Sequence, residues 1–153
     1  MTYPSDIVHR FIVEHFVPVR LLLNQPEHRA HFRQQRVIWT PTIVILDWRG
    51  RDHYRSLGYL PPDLFAHLLH IGLARAKMAW ARYDEAASHL HLVANQSESP
   101  LAPEALYQLG MARYLQTRRH ADLMEPWDRL LEQYPDSIWA ARVPPNQSEV
   151  RYR

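Results

Sequence analysis

The 153-residue sequence contains no cysteine. Disulfide bonds, thiolate nucleophiles and cysteine-ligated metal sites are therefore excluded from this chain. Glycine is also scarce, and its four glycines are too scattered for a phosphate-binding loop. No Gly-x-Ser-x-Gly nucleophile motif and no His-Glu-x-x-His metal motif is present. The sequence thus supplies no catalytic residues, and we expect a chain that is not an enzyme and needs no cofactor.

A dominant charge and a long apolar run are missing as well. Eighteen basic residues are balanced by sixteen acidic ones, which does not predict a nucleic-acid or membrane partner. No stretch approaches the roughly 20 apolar residues of a membrane span, and polar residues interrupt the start of the chain where a signal peptide would be apolar. The sequence therefore predicts a cytoplasmic protein, and a signal peptide in a longer parent protein stays open as the alternative.

Hydrophobic residues make up 46% of the chain, which predicts a packed protein. Helical spacing of apolar residues and prolines at first-turn positions predict three helices in the first seventy residues, at 5–16, at 27–36 and from Pro61. Apolar and β-branched runs predict three strands, at 17–23, 42–47 and 53–57, of which the last two form an antiparallel hairpin.

Several segments of this region resemble, in order and spacing, a thioredoxin-like family with a vicinal dithiol motif. They are Thr2-Tyr3-Pro4 before the first helix, Phe16-Val17-Pro18-Val19-Arg20, Trp39-Thr40-Pro41-Thr42, Asp47-Trp48-Arg49-Gly50-Arg51 and Gly58-Tyr59-Leu60-Pro61-Pro62. The resemblance implies that residues 1–70 form an α/β thioredoxin-like domain with an incomplete, three-stranded sheet.

The family carries a cis-proline loop whose backbone polar groups pair with an extended substrate peptide. The resemblance therefore implies a cis Thr40–Pro41 bond and a peptide-binding site at Trp39, Thr40 and Pro41. Proline allows this bend because its cis form costs only about 0.5–1 kcal/mol over trans. The alternative is a trans Pro41 that merely begins the strand at 42–47.

The chain departs from the family because a first core strand and its Cys-x-x-Cys motif would lie before Met1. In the family that strand lies between the counterparts of 17–23 and 42–47, so its loss would leave unpaired backbone groups at about 1–3 kcal/mol each. Three explanations account for the missing strand. The start codon is misassigned and the real protein is longer, or the gene is a decayed relic. In the third, the two flanking strands pair directly or a partner's strand fills the gap. We favour the first explanation, under which the resemblance implies a longer protein that is a thiol–disulfide oxidoreductase with its cysteines upstream of Met1.

Residues 71–143 resemble tetratricopeptide repeats. The matching positions are Leu73, Ala74, Tyr83, Ala86, Leu90 and Val93 in one unit, and Leu106, Leu109, Gly110, Tyr114, Leu123, Trp127, Leu130 and Pro135 in a second. Small residues in this set would let paired helices approach closely. The alternative is a plain pair of helical hairpins. We expect only helices here, a longest connection at 96–103, and a disordered tail at 144–153.

Ten histidines raise a metal-binding hypothesis. Asp63, His67 and His70 share one face of the third helix, and His28 and His31 lie one turn apart. Solvated histidines explain these pairs better, so no metal site is predicted.

Two functional hypotheses follow. In the first, the chain is a truncated or inactive relative of thiol–disulfide oxidoreductases, with a peptide groove at residues 39–41 and a protein-binding helical tail. In the second, it is a non-enzymatic interaction or scaffold module that acts through the helical tail or the vacant sheet position. Both predict a protein or peptide partner, and the unpaired sheet edge predicts self-association.

Overall fold

The computed structural model describes residues 6–145. The chain divides between Ala66 and His67 into two compact units, called unit 1 (residues 1–66) and unit 2 (residues 67–153). The division falls within one continuous helix, whereas the sequence places the boundary at residue 70. Residues 146–153 of the predicted disordered tail lie outside the described part. Ser5, at the start of the first predicted helix, lies outside it as well.

Unit 1 combines short helices with a two-stranded sheet. The elements are α1 (Asp6–His15), a 3₁₀ turn (Pro26–His28), α2 (Arg29–Gln34), β1 (Thr42–Leu46), β2 (Asp52–Leu57) and the start of α3 (Pro62–Ala79). The apolar face of α1 buries Val8 and Ile12, as the helical spacing predicts, and Ile45 of β1 and Phe65 of α3 are buried as well. The protein is thus mixed α/β and mostly helical.

The predicted strand at 17–23 is wrong. Residues 17–22 have no regular secondary structure, and a turn follows at 23–24. Pro18 lacks an N–H, and a strand forms only where a neighbouring strand offers hydrogen bonds. Among the described residues the sheet contains β1 and β2 alone, so the predicted three-stranded sheet is not formed. Consequently Val17 and Val19 remain 91% and 77% exposed.

The predicted antiparallel hairpin is confirmed. Thr42 lies opposite Leu57 and Val44 opposite Arg55, and a bulge after Ile45 brings Leu46 opposite Asp52. Since side chains alternate between the faces of a strand, Ile43 and Ile45 share the inner face. Val44 and Leu46 share the other face, on which Leu46 is exposed.

Unit 2 is helical throughout its described part, as predicted for 71–143. It contains the rest of α3, α4 (Tyr83–Ala94), α5 (Ala102–Thr117), α6 (His120–Gln133) and a 3₁₀ turn at Ala140–Arg142. The longest irregular connection, 95–101, joins α4 to α5 close to its predicted place. Large side chains from all four helices are completely buried, among them Ile71, Leu90, Leu106, Leu109 and Leu130.

Gly110 brings α5 and α6 into close contact. A Cβ at this position would lie 2.7 Å from the Leu123 carbonyl oxygen and 2.8 Å from Nε1 of Trp127. The indole N–H donates a hydrogen bond to the Tyr107 carbonyl at 3.0 Å, and the Trp127 ring stacks on the Tyr107 ring with centroids 5.2 Å apart. Only glycine leaves room for this arrangement, as the small-residue pattern predicts.

Candidate functional site

The loop that leads from α2 into β1 contains the three residues predicted to bind peptide. Arg36 ends the helical segment with a φ of +49°, and the next residue, Val37, donates its N–H to the Phe32 carbonyl at 2.9 Å. Beyond this turn Trp39, Thr40 and Pro41 are all exposed, with 67% of Trp39 accessible. The Thr40–Pro41 bond is cis, which confirms the prediction.

Two hydrogen bonds fix this loop at the start of β1. The Thr42 hydroxyl donates to the Trp39 carbonyl at 2.5 Å. The Gly58 N–H, just after β2, donates to the Pro41 carbonyl at 2.8 Å. The three predicted site residues therefore lie together on the surface, beside the first residue of β1.

The hydrogen bond between Gly58 and Pro41 also decides which side of β1 each backbone group faces. In an antiparallel pair, residues that exchange hydrogen bonds alternate with residues whose polar groups point away from the partner strand. Counting from Pro41, Ile43 and Ile45 bond to β2, and Thr42 and Val44 direct their N–H and C=O groups to the opposite side. Along residues 6–145 no other strand pairs with that side, which is called the open edge of β1 below.

The outer side of β2 also lacks a strand within the described residues, but its sequence protects it. Asp52 and Arg55 form an ion pair at 2.8 Å, and His53 is the extra residue of the bulge. Charged side chains and bulges are the usual means by which edge strands avoid pairing with other chains. β1 consists of Thr, Ile, Val, Ile and Leu and has neither protection along 42–45, so its edge is the more receptive one.

Asp47 organises the turn between the strands. Its Oδ1 accepts the backbone N–H groups of Arg49 and Arg51 at 2.9 and 3.0 Å, and its Oδ2 contacts Arg51 Nε at 2.7 Å and His53 Nε2 at 3.1 Å. Desolvation raises the pKa of this carboxyl, whose side chain is only 3% exposed, but the hydrogen bonds outweigh it and hold the pKa well below its ordinary range. The turn is therefore held by a carboxylate that stays ionised.

Several large apolar side chains of unit 1 are exposed, some of them just before and just after β1 in the sequence. The large exposed hydrophobic residues described in unit 1 are Val13, Val17, Val19, Leu23, Ile38, Trp39, Leu46, Trp48, Leu57 and Tyr59. Ile38 and Trp39 precede β1, and Trp48 follows it, with the Arg49 guanidinium 4.5 Å from the centroid of its ring. Exposed apolar side chains therefore flank β1 at both ends of the strand in the sequence.

The histidines predicted to share a face of α3 make separate contacts within unit 2. Nδ1 of His67 lies 2.8 Å from the Ser99 hydroxyl, and Nδ1 of His70 lies 3.0 Å from Nδ1 of His89 on α4. Within the described part of the chain no three His, Asp or Glu side chains are grouped as metal ligands. These histidines therefore link elements of the helical unit.

A buried polar pair on α5 was not predicted from the sequence. The Gln108 amide donates to the Glu104 carboxylate at 2.8 Å, and both residues are 6% exposed. Their spacing of four residues could have indicated that they meet. Nothing local to α5 marks them as buried, because burial depends on the helices packed against α5.

No helix in residues 6–145 combines the length and hydrophobicity that a membrane crossing requires. Comparisons with protein-family models, with curated proteins and with solved structures gave no match to this chain.

Proposed function

We propose that this chain is a non-enzymatic protein-binding module that accepts an extended segment of a partner protein along the open edge of β1. In this proposal residues 1–70 are related to thioredoxin-like proteins, and the loop Trp39-Thr40-Pro41 borders the bound segment. The observation that carries the proposal is the uncharged strand 42–46, whose outward N–H and C=O groups face no other strand among the described residues.

Backbone chemistry supports this mode of binding. An extended peptide added to a sheet edge gains main-chain hydrogen bonds, and pockets for alternate side chains give it specificity. Thr42 and Val44 offer N–H and C=O groups in the required alternating order. No backbone hydrogen bond outside the β1–β2 ladder uses these groups among the described residues.

The exposed apolar residues support the same site. Trp39 is 67% and Ile38 is 82% exposed immediately before β1, and aromatic side chains are enriched where proteins bind each other. A peptide on the edge would extend past Trp39, whose backbone carbonyl accepts a hydrogen bond from the Thr42 hydroxyl.

A displayed library of random dodecapeptides, selected on the intact protein, tests the proposal. We expect enriched peptides with alternating apolar residues. Each enriched peptide is then synthesised in two forms, N-methylated at odd or at even positions. Because only one edge of an extended peptide faces β1, one form should lose binding at least about tenfold and the other should keep it.

The site of binding is read from amide hydrogen exchange. Bound peptide should slow exchange at Thr42 and Val44 and leave Ser56 on β2 unchanged. If no peptide is enriched, if both N-methylated forms bind equally, or if protection maps to α4–α6, strand addition at β1 is wrong.

The proposal also excludes thiol–disulfide exchange by this chain. Exchange proceeds through a mixed disulfide formed by a thiolate, and the sequence contains no cysteine to form one. Insulin reduction in the presence of the purified chain should therefore equal the uncatalysed rate. Reduction above that rate, in a preparation free of other proteins, would refute the non-enzymatic assignment.

A further inference from the structure

We propose that in the absence of a partner protein the open edge of β1 is occupied by β1 of a second copy of this chain. The two strands would run antiparallel across a twofold axis and join two hairpins into a four-stranded sheet with the order β2-β1-β1-β2. This inference rests on the proposed function, in which β1 accepts an added strand, and it identifies β1 of a second copy as that strand when no partner is bound.

The strand is complementary to itself in one register. Val44 is the middle residue of Thr42–Leu46, and it directs its N–H and C=O to the open edge. An axis at Val44 lets the two Val44 residues exchange both hydrogen bonds. This register alone pairs all five residues of each strand, with Thr42 opposite Leu46 and Ile43 opposite Ile45.

Charge favours this pairing over one that involves β2. β1 carries no ionisable residue, so two copies approach without repulsion or desolvated charges. β2 places Asp52 and Arg55 on its edge strand and is bent by the bulge at His53. The two edges of the same hairpin therefore differ, and only β1 offers a regular, uncharged row of backbone groups.

The residues that flank β1 would add contacts between the two copies beyond the paired strands. In the register centred on Val44, the start of one β1 lies beside the end of the other. Trp39 of one copy thus approaches Trp48 and Arg49 of the other, and the same contact is repeated across the axis. Trp39 and Trp48 are 67% and 76% exposed in the single chain, so both have apolar surface to lose on pairing.

Single cysteine substitutions test the register directly, because the chain has no cysteine of its own. Directly opposed residues that exchange hydrogen bonds have Cα atoms about 5.5 Å apart, within the range of a disulfide. Val44→Cys should therefore give a covalent dimer on oxidation with diamide. Thr42→Cys and Leu46→Cys should cross-link when mixed but not alone, because identical positions then lie more than about 10 Å apart.

Leu57→Cys is the matched control, since this exposed residue lies in the same hairpin on β2. Its oxidation should leave monomers on a denaturing gel. Cross-linking of Leu57→Cys and not of Val44→Cys, or cross-linking of Thr42→Cys alone, would overturn the inference.

Charge substitutions give an independent measurement without oxidation. In the Val44→Glu variant the new carboxylate has Arg55 opposite it within the single chain, but the dimer places two such carboxylates together. Light scattering should report half the mass of the parent protein for Val44→Glu and an unchanged mass for Leu57→Glu. Mixing Val44→Glu with Val44→Lys should restore the dimer, which a merely unfolded variant would not do.

The cross-linking and peptide-binding experiments distinguish failure of self-pairing from failure of the proposed peptide binding. If Val44→Cys does not cross-link while selected peptides still protect Thr42 and Val44, self-pairing is wrong and peptide binding stands. If the dimer forms and no peptide displaces it, β1 serves as an oligomerisation strand and the proposed function is wrong. A parent chain that is monomeric at all concentrations tested overturns the inference.

Discussion

Unit 1 and unit 2 differ in how they cover their apolar side chains. The largest completely buried side chains, Ile71, Leu90, Leu106, Leu109, Leu130, Val93 and Pro126, all belong to unit 2. Unit 1 carries two-thirds of the large exposed hydrophobic residues among those described, although it is the shorter unit. Helices satisfy their own backbone and can pack in pairs, whereas a strand needs a neighbour on each side. Within the proposed function, unit 1 is therefore the part that would bury more apolar surface on binding.

Hydrogen exchange on the intact protein should show the largest difference between the units. Amides in the centre of α5, around Leu109, should exchange more slowly than those of α1 by at least about a thousandfold, or ~4 kcal/mol in opening free energy. The reason is that α5 is buried along most of its length, while α1 buries few residues. Equal protection in the two helices would remove the contrast between the units.

Truncation of apolar side chains should repeat the contrast in stability. Leu109 is completely buried, so Leu109→Ala should lower the free energy of unfolding by about 2–5 kcal/mol in urea denaturation. Ile38→Ala removes an equally apolar side chain that is 82% exposed, and we expect a change within about 0.5 kcal/mol. A loss above ~2 kcal/mol for Ile38→Ala would show that the monomer itself needs this residue.

A single added methyl group should test the contact between α5 and α6. Gly110→Ala places a Cβ 2.7 Å from the backbone oxygen of Leu123, which cannot move without shifting α6. We expect destabilisation of about 1–3 kcal/mol. This sign is opposite to that expected for an unconstrained helix, in which alanine is favoured over glycine by about 1 kcal/mol. Met111→Ala, at the neighbouring exposed position, is the control and should be nearly neutral.

Acid should act on the turn of unit 1 through Asp47. The pKa of Asp47 is lower in the folded chain than in the unfolded one, so its ionised form stabilises the fold. That contribution is complete above about pH 5 and is lost progressively as the pH falls from about 4 toward the lower pKa of the folded chain. Asp47→Asn cannot ionise, so the difference in thermal midpoint between parent and variant should shrink from pH 7 to pH 3. A difference that does not change with pH would assign Asp47 a purely steric role.

The elements that could be predicted are those with a strong local signal. The helices of residues 71–143 follow from periodicity, the hairpin around Asp47 follows from its turn residues, and the cis Thr40–Pro41 bond was implied by the resemblance. The strand at 17–23 could not be predicted correctly, because an apolar run favours a strand only where a neighbour completes its hydrogen bonds.

The sequence by itself determined the absence of cysteine from this chain, the helical character of residues 71–143 and the uncharged composition of β1. These properties depend on residue type and spacing, which act over a few positions of the chain. Only the tertiary structure decided that Glu104 and Gln108 are buried, that Gly110 meets the backbone of α6, and that one side of β1 pairs with no strand among residues 6–145. Burial and strand pairing are set by residues far apart in the sequence, so no local pattern could fix them.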